Sequence, residues 1–151
     1  MDGTTYVFGE QPQTPLAVSI RWMILRMYAL IDTYEKIVYV NNTSPNTLLN
    51  IVKTMGGDSV PMTTLLKAID YQRIESVKDI VLLTGDVVVV ENLQTVVASS
   101  LHQMEYNELN YLLTRMLKRT GQVYMLDVQA NEFVRRLVDT EVVVEQAGPA
   151  E

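Results

Sequence analysis

Residues 15–31 read Pro15-Leu16-Ala17-Val18-Ser19-Ile20-Arg21-Trp22-Met23-Ile24-Leu25-Arg26-Met27-Tyr28-Ala29-Leu30-Ile31, and only Ser19, Arg21 and Arg26 interrupt the apolar run. A surface helix is apolar along one stripe. This stretch is apolar nearly all round, which predicts a long helix buried on most sides by its own domain or by partner subunits. Thr14 followed by Pro15 suits its start, a hydroxyl cap and then proline at the first helical position. The helix is expected to run to about Tyr34.

Before this helix, Thr5–Phe8 reads as a strand and Gly9–Thr14 as a linker, so residues 1–14 are set apart as an N-terminal arm. After it, Lys36–Val40 is a short β-branched and aromatic strand, and Asn41–Thr43 is a turn. Ser44 and Pro45 cap a second helix that buries Leu48, Leu49, Ile51, Val52 and Met55 and stops at Gly56 and Gly57. Asp58 and Ser59 restart the chain into a third helix over Pro61–Ile74. Ile80–Leu83, the turn Thr84-Gly85-Asp86 and Val87–Val90 read as two strands around a tight turn, although periodicity leaves helix open for so short a run.

The clearest helix is Glu105–Thr120. Tyr106, Leu109, Leu112, Leu113, Met116 and Leu117 keep helical spacing, with acids at its start and Arg115, Lys118 and Arg119 at its end. Leu93–Met104 and Asn131–Val138 are further helices; Val123–Leu126 and Val142–Val144 are short strands. Because helices carry the strong signals, the expectation is a predominantly helical α+β domain over residues 15–144. It has the long buried N-terminal helix, about four further helices and a small sheet, and is not a doubly wound parallel sheet. Residues 145–151 read as a polar tail.

Composition narrows the function classes. The net charge of −6 disfavours attraction to nucleic acid or anionic membrane. The chain has no cysteine, which removes disulfides, thiolate catalysis and cysteine-ligated zinc, and suits a reducing, cytoplasmic-type compartment or the interior of a protein assembly. The first residues carry Asp2 and Glu10 and no Lys or Arg before Arg21, unlike a secretory leader. Arg21 and Arg26 argue against a membrane span in the apolar stretch.

No catalytic, cofactor-binding or metal-ligating residues are assigned. The one histidine, His102, has Ser99 and Ser100 as its nearest serines, but i−2 and i−3 neighbours on a helix do not build a Ser-His-Asp triad. Carboxylates available for acid–base work are Asp79, Asp86, Glu91, Asp127 and Glu132, none of them in a recognisable motif. Gly56 to Ser59 lacks the lysine and spacing of a phosphate loop, and a lone histidine leaves no transition-metal site.

What remains is contact chemistry. Eight tyrosines and eight methionines are many for 151 residues, and both types are enriched at interfaces. Trp22, Met23, Arg26 and Met27 form the candidate interface, and the Val87–Val90 and Val142–Val144 runs are candidate edges for strand pairing. The expected function is a non-enzymatic structural or interaction subunit, assembling with itself or other proteins, of the kind found in a virion or another large complex. The alternative is a nucleic-acid-associated regulator or adaptor using Arg115, Lys118, Arg119, Arg135 and Arg136, with Tyr111 and Tyr124 as stacking faces. Carboxylate-based enzyme chemistry ranks below both.

Overall fold

The computed structural model describes residues 3–56, 60–119 and 121–145; of residues 56, 60 and 61 it describes the backbone only. The expected glycine stop at Gly57, the Asp58-Ser59 cap and the tail beyond residue 145 lie outside the described residues.

Six strands form one sheet in the order β3-β2-β4-β5-β1-β6: β1 (Gly3–Gly9), β2 (Ile37–Asn41), β3 (Ile69–Arg73), β4 (Val87–Glu91), β5 (Gln122–Asp127) and β6 (Thr140–Val144). Every pairing is parallel. Parallel neighbours need crossover connections, and the helices supply them. They are α1 (Leu16–Leu30), α2 (Asn46–Gly56), α3 (Val60–Ala68), α4 (Val77–Val81), α5 (Leu93–Ser100), α6 (Tyr106–Leu117) and α7 (Glu132–Arg135).

This is an α/β fold, and the expected helical domain with a small sheet is corrected by it. The physical reason lies in β2 and β4, which read Ile-Val-Tyr-Val-Asn and Val-Val-Val-Val-Glu and are buried at every position. A strand covered by helices on both faces has no polar side, so it loses the alternation that marks a half-exposed strand. One face, carrying Tyr6, Phe8, Val38, Val88 and Val123, packs against α4, α5, α6 and α7. The other, carrying Val7, Tyr39, Val89, Tyr124 and Leu126, packs against α1, α2 and α3.

Several boundaries move for related reasons. The Ile80–Val90 stretch is not a hairpin: its first part closes α4, and Val87–Glu91 is a central strand rather than an exposed edge. The third helix ends at Ala68, and Ile69–Arg73 leaves it as edge strand β3, whose period-2 polar residues Asp70 and Gln72 break the helical stripe. Within the stretch set apart as an arm, Gly3–Gly9 is β1, flanked on both sides by β5 and β6.

Helix α1 is buried by its own chain, on one side. Ile20, Met23, Ile24, Met27 and Leu30 enter the core, whereas Arg21, Leu25 and Arg26 face outward. Pro15 occupies the capping position without a side-chain bond, and the Thr14 hydroxyl instead accepts the Gln11 amide at 3.2 Å. Among the described residues no helix is long and apolar enough to cross a membrane.

Candidate functional site

In an open parallel sheet, ligands bind beyond the carboxyl ends of the strands, where successive connections leave to opposite faces. Here β1 exits to α1 on one face and β5 to α7 on the other; β2 exits to α2 and β4 to α5 in the same divergent way. The central apolar strands end in polar residues at this rim: Asn41 on β2, Glu91 on β4 and Asp127 on β5.

Each group is closed by neighbours. The Tyr39 hydroxyl donates to Glu91 Oε1 at 2.7 Å, and Asn41 Nδ2 donates to Glu91 Oε2 at 2.9 Å. Asn41 Nδ2 also donates to the Ser44 carbonyl, and its Oδ1 accepts the Tyr71 hydroxyl at 2.5 Å and the Thr43 amide at 3.1 Å. Burial raises the Glu91 pKa, and the bonds from Tyr39 and Asn41 offset part of that rise. Burial and the Glu91 carboxyl together push the Tyr39 phenol well up, so it stays a donor.

Asp127 lies on the opposite face of the sheet. Its Oδ2 accepts the Tyr6 hydroxyl, and its Oδ1 accepts the Gln94 amide in the first turn of α5 at 2.9 Å. Tyr6 in turn accepts the Asn131 amide, the residue that caps α7. Burial raises the Asp127 carboxyl to about 6, against the lowering effect of those two donors. One carboxylate therefore ties β5 to β1 and α5, with α7 held at one remove. The left-handed turn at Asn92, φ 59°, makes the sharp exit from β4 that brings the Gln94 amide back to this point.

Glu91 and Asp127 are 3% and 0% exposed and lie on opposite faces, so they do not form a catalytic pair. The remaining candidate carboxylates are accounted for singly. Asp79 completes the capping box of α4, Asp86 is a turn residue whose carbonyl accepts the Gln122 amide, and Glu132 pairs with Arg135 at 3.7 Å. Ser99 and Ser100 donate to the carbonyls of Glu75 and Val96 rather than to His102.

The β1–α1 turn sits at the first divergence of connections, where a phosphate would meet a helix N-terminus. Its residues do not suit an anion: Glu10 is acidic, Pro15 lacks an N–H, and no basic residue lies between Gly9 and Leu16. Gly9 is required for packing. A Cβ there would lie 2.7 Å from Thr14 Cβ and 2.8 Å from the Val128 carbonyl, so the turn closes directly onto the exit of β5.

One open cleft follows the exit of β3 past Arg73 and Glu75, and two others lie at the opposite rim. One of about 500 Å³ gathers Glu35, Lys36, Asp70 and Asp86 at the opposite rim, by the starts of β2 and β4. A second, of about 360 Å³, lies at the starts of β1, β5 and β6 and is lined by Thr5, Arg26, Tyr124, Asp139 and Thr140. Among the described residues no group of three or more His, Cys, Asp or Glu side chains is placed to hold a metal.

The four candidate interface residues divide. Met23 and Met27 are fully buried core, Trp22 is half-buried against Tyr124 with ring centroids 6.3 Å apart, and Arg26 is exposed and donates Nε to the Tyr124 hydroxyl at 3.1 Å. The five basic residues also divide. Arg119 donates to the Leu83 and Gly85 carbonyls beside the start of β4, and Arg115 leans over Tyr111. Arg135 lies three strands away, bonded to Glu141 of β6 at 2.8 Å and set 5.1 Å over the Phe8 ring. Tyr124 is 3% exposed and is not available for stacking.

The sheet has two edges, and they differ. β3 presents Asp70, Gln72 and Arg73, polar side chains of the kind that deter pairing. β6 reads Thr-Glu-Val-Val-Val, with Val143 51% exposed and no proline or lysine. No protein family matches this chain, and no curated protein is significantly similar to it.

Proposed function

We propose that this chain is a non-enzymatic interaction subunit that works by associating with protein, through the β6 edge and the outer side of α1. The observation that carries the reading is β6: a β-branched edge strand with one half-open face is a template for strand addition unless something blunts it. Beside it, α1 presents Leu25, 63% exposed, between Arg21 and Arg26, with Trp22 half-buried at the margin. An apolar centre flanked by arginine and tryptophan is the composition of interface hot spots. The carboxylates at the opposite, ligand-type rim are engaged internally, which favours contact over chemistry as the role of the surface.

The test is particle size in an extract of the cells that make the protein, followed by the same measurement on Val143→Lys and Leu25→Glu. Both positions are exposed, so the substitutions spare the core. The wild type is expected to migrate well above the size of a single chain, and each variant to shift toward it. Wild-type protein at single-chain size, both in the extract and purified, would overturn the proposal.

A further inference from the structure

The free edge of β6 has a definite hydrogen-bonding phase. The Val144 carbonyl accepts the Glu10 amide at 2.7 Å, so Val144 faces β1. Backbone groups alternate along a strand, so Val142 and Thr140 also face β1, and the N–H and C=O of Glu141 and Val143 face outward. Among the described residues no strand pairs with that side. This phase is self-complementary. If two copies of β6 run antiparallel about a two-fold axis at Val142, Glu141 of each lies opposite Val143 of the other. These outward residues then form reciprocal hydrogen-bonded pairs, about four bonds in all, with Val142 facing Val142 as the non-hydrogen-bonded pair between them.

Charge selects the same direction. The end of β6 carries an acid pair: Glu145 lies against Glu10, close enough to raise the Glu10 pKa by hydrogen bonding. The start of β6 is the cationic end. Arg26 lines the cleft that contains Thr140, and exposed Arg136 lies just upstream. Neither arginine makes a salt bridge to a described residue. Asp139, at the same end, is already engaged by the Thr4 amide at 2.9 Å and hydroxyl at 3.1 Å. Antiparallel pairing brings each copy's Glu10 and Glu145 to the end of the other that holds Arg26 and Arg136, with Glu145 opposite Asp139, a net balance of charge that parallel pairing, which gathers all four glutamates together, does not give.

We propose that β6 pairs antiparallel with β6 of a second copy, joining the two sheets into one across a two-fold axis at Val142. The inference rests on the association reading above and names its partner and geometry. A five-residue ladder is a small contact, so the dimer is weak and concentration-dependent.

The absence of cysteine permits a direct test. In the paired arrangement the two Val142 Cα atoms are roughly 4.5 Å apart, within disulfide reach. Val142→Cys is expected to give a covalent dimer under mild oxidation, whereas Thr140→Cys, which faces Val144 of the other copy, is not. Light scattering on purified wild type is expected to rise toward twice the chain mass with concentration, and Val143→Lys to weaken dimerisation by roughly tenfold or more. A purified monomer at every concentration overturns the inference. So does a dimer that neither crosslinks through Val142→Cys nor responds to Val143→Lys. If the purified chain is monomeric but the particle in cell extract still depends on Val143, self-pairing falls and the association reading stands; if that particle is absent too, both fall.

Discussion

Asp127→Asn is expected to remove a pH-dependent destabilisation worth about 3 kcal/mol. The Asp127 carboxyl is raised from 3.8 in the unfolded chain to about 6 in the fold. At ~1.4 kcal/mol per pH unit, that gap amounts to about 3 kcal/mol. The sign follows from the direction. A group whose folded pKa lies above its unfolded value contributes stability that is fully present below about 3.8 and lost as pH rises through about 6. Asparagine keeps an oxygen for the Gln94 amide but sets an amino group against Tyr6, whose hydroxyl already accepts the Asn131 amide. The phenolic proton then loses its acceptor, a penalty of about 1 kcal/mol that does not vary with pH in this range.

The diagnostic quantity is therefore the slope, not the offset. Urea denaturation at points between about pH 4 and pH 8 should show the stability of Asp127→Asn, relative to wild type, rising by about 2.4 kcal/mol across the series, the rest of the gap lying below pH 4. Trp22, the one tryptophan, reports unfolding from its half-buried place beside Tyr124. Glu91 is also raised by burial, but it lies on the other face and is common to both proteins, so its contribution cancels in the difference. A difference that stays flat over this range would refute the reasoning, since it would mean that Asp127 titrates alike in the folded and unfolded chains.

Three further outcomes follow from the geometry. Gly121→Ala should cost more than about 2 kcal/mol in chemical denaturation, because Gly121 has φ +94° and a Cβ would lie 2.6 Å from the Asp86 carbonyl. Met27→Ala should cost about 2–5 kcal/mol as a core truncation, while Leu25→Glu two residues earlier should leave the melting curve nearly unchanged; equal losses would place both in the core. Tyr39→Phe should destabilise by about 1–3 kcal/mol by leaving Glu91 Oε1 buried without its donor, and the added Glu91→Leu substitution should recover part of the loss.

Most helices and five of the six strands are legible in the sequence; α4, which reads as a strand, β3, which reads as helix, and the extent and parallel topology of the sheet are not. Amphipathic spacing, as in Leu109, Leu113 and Met116 of α6, reports a helix with one wet side. The central strands β2 and β4 have no wet side, so their runs carry no period and read as short, weak signals. A continuous valine run is itself evidence of helices on both faces. The same principle corrects the edges: Val87–Val90 is central because it is uniformly apolar, and β6 is marginal because Glu141 interrupts it. The rim groups also left a trace. Val90-Glu91, Val40-Asn41 and Leu126-Asp127 each end an apolar run with a polar residue, a repeated signature that becomes readable only once the strands are known to be parallel and in register. Nothing local could show that Glu91 and Asp127 fall on opposite faces.

The closing of that rim bears on where this molecule can interact. Parallel sheets ordinarily leave the carboxyl ends of their central strands open, and the divergent connections make a crevice there. In this chain phenols fill the equivalent places. Tyr39 and Tyr71 reach Glu91 and Asn41 from one side of the sheet, and Tyr6 reaches Asp127 from the other. Tyr6 and Tyr39 each carry a large apolar ring into the core and a single donor to the rim, excluding water while satisfying the acid, and half-buried Tyr71 closes Asn41 beside them. The effect is a rim cross-linked by hydrogen bonds, which ties β1, β2, β4 and β5 to the first turns of α5 and α7. The phase of the edge strand is fixed by its neighbour β1, which pairs with β6 from Thr5 opposite Thr140 to Gly9 opposite Val144. That fixed phase is what self-pairing through β6 requires: Glu141 and Val143 must face outward together, and a one-residue slip would turn both inward. The buried Asp127 ties β5 to Tyr6 of β1, and β1 in turn sets the register in which the open edge of β6 is presented.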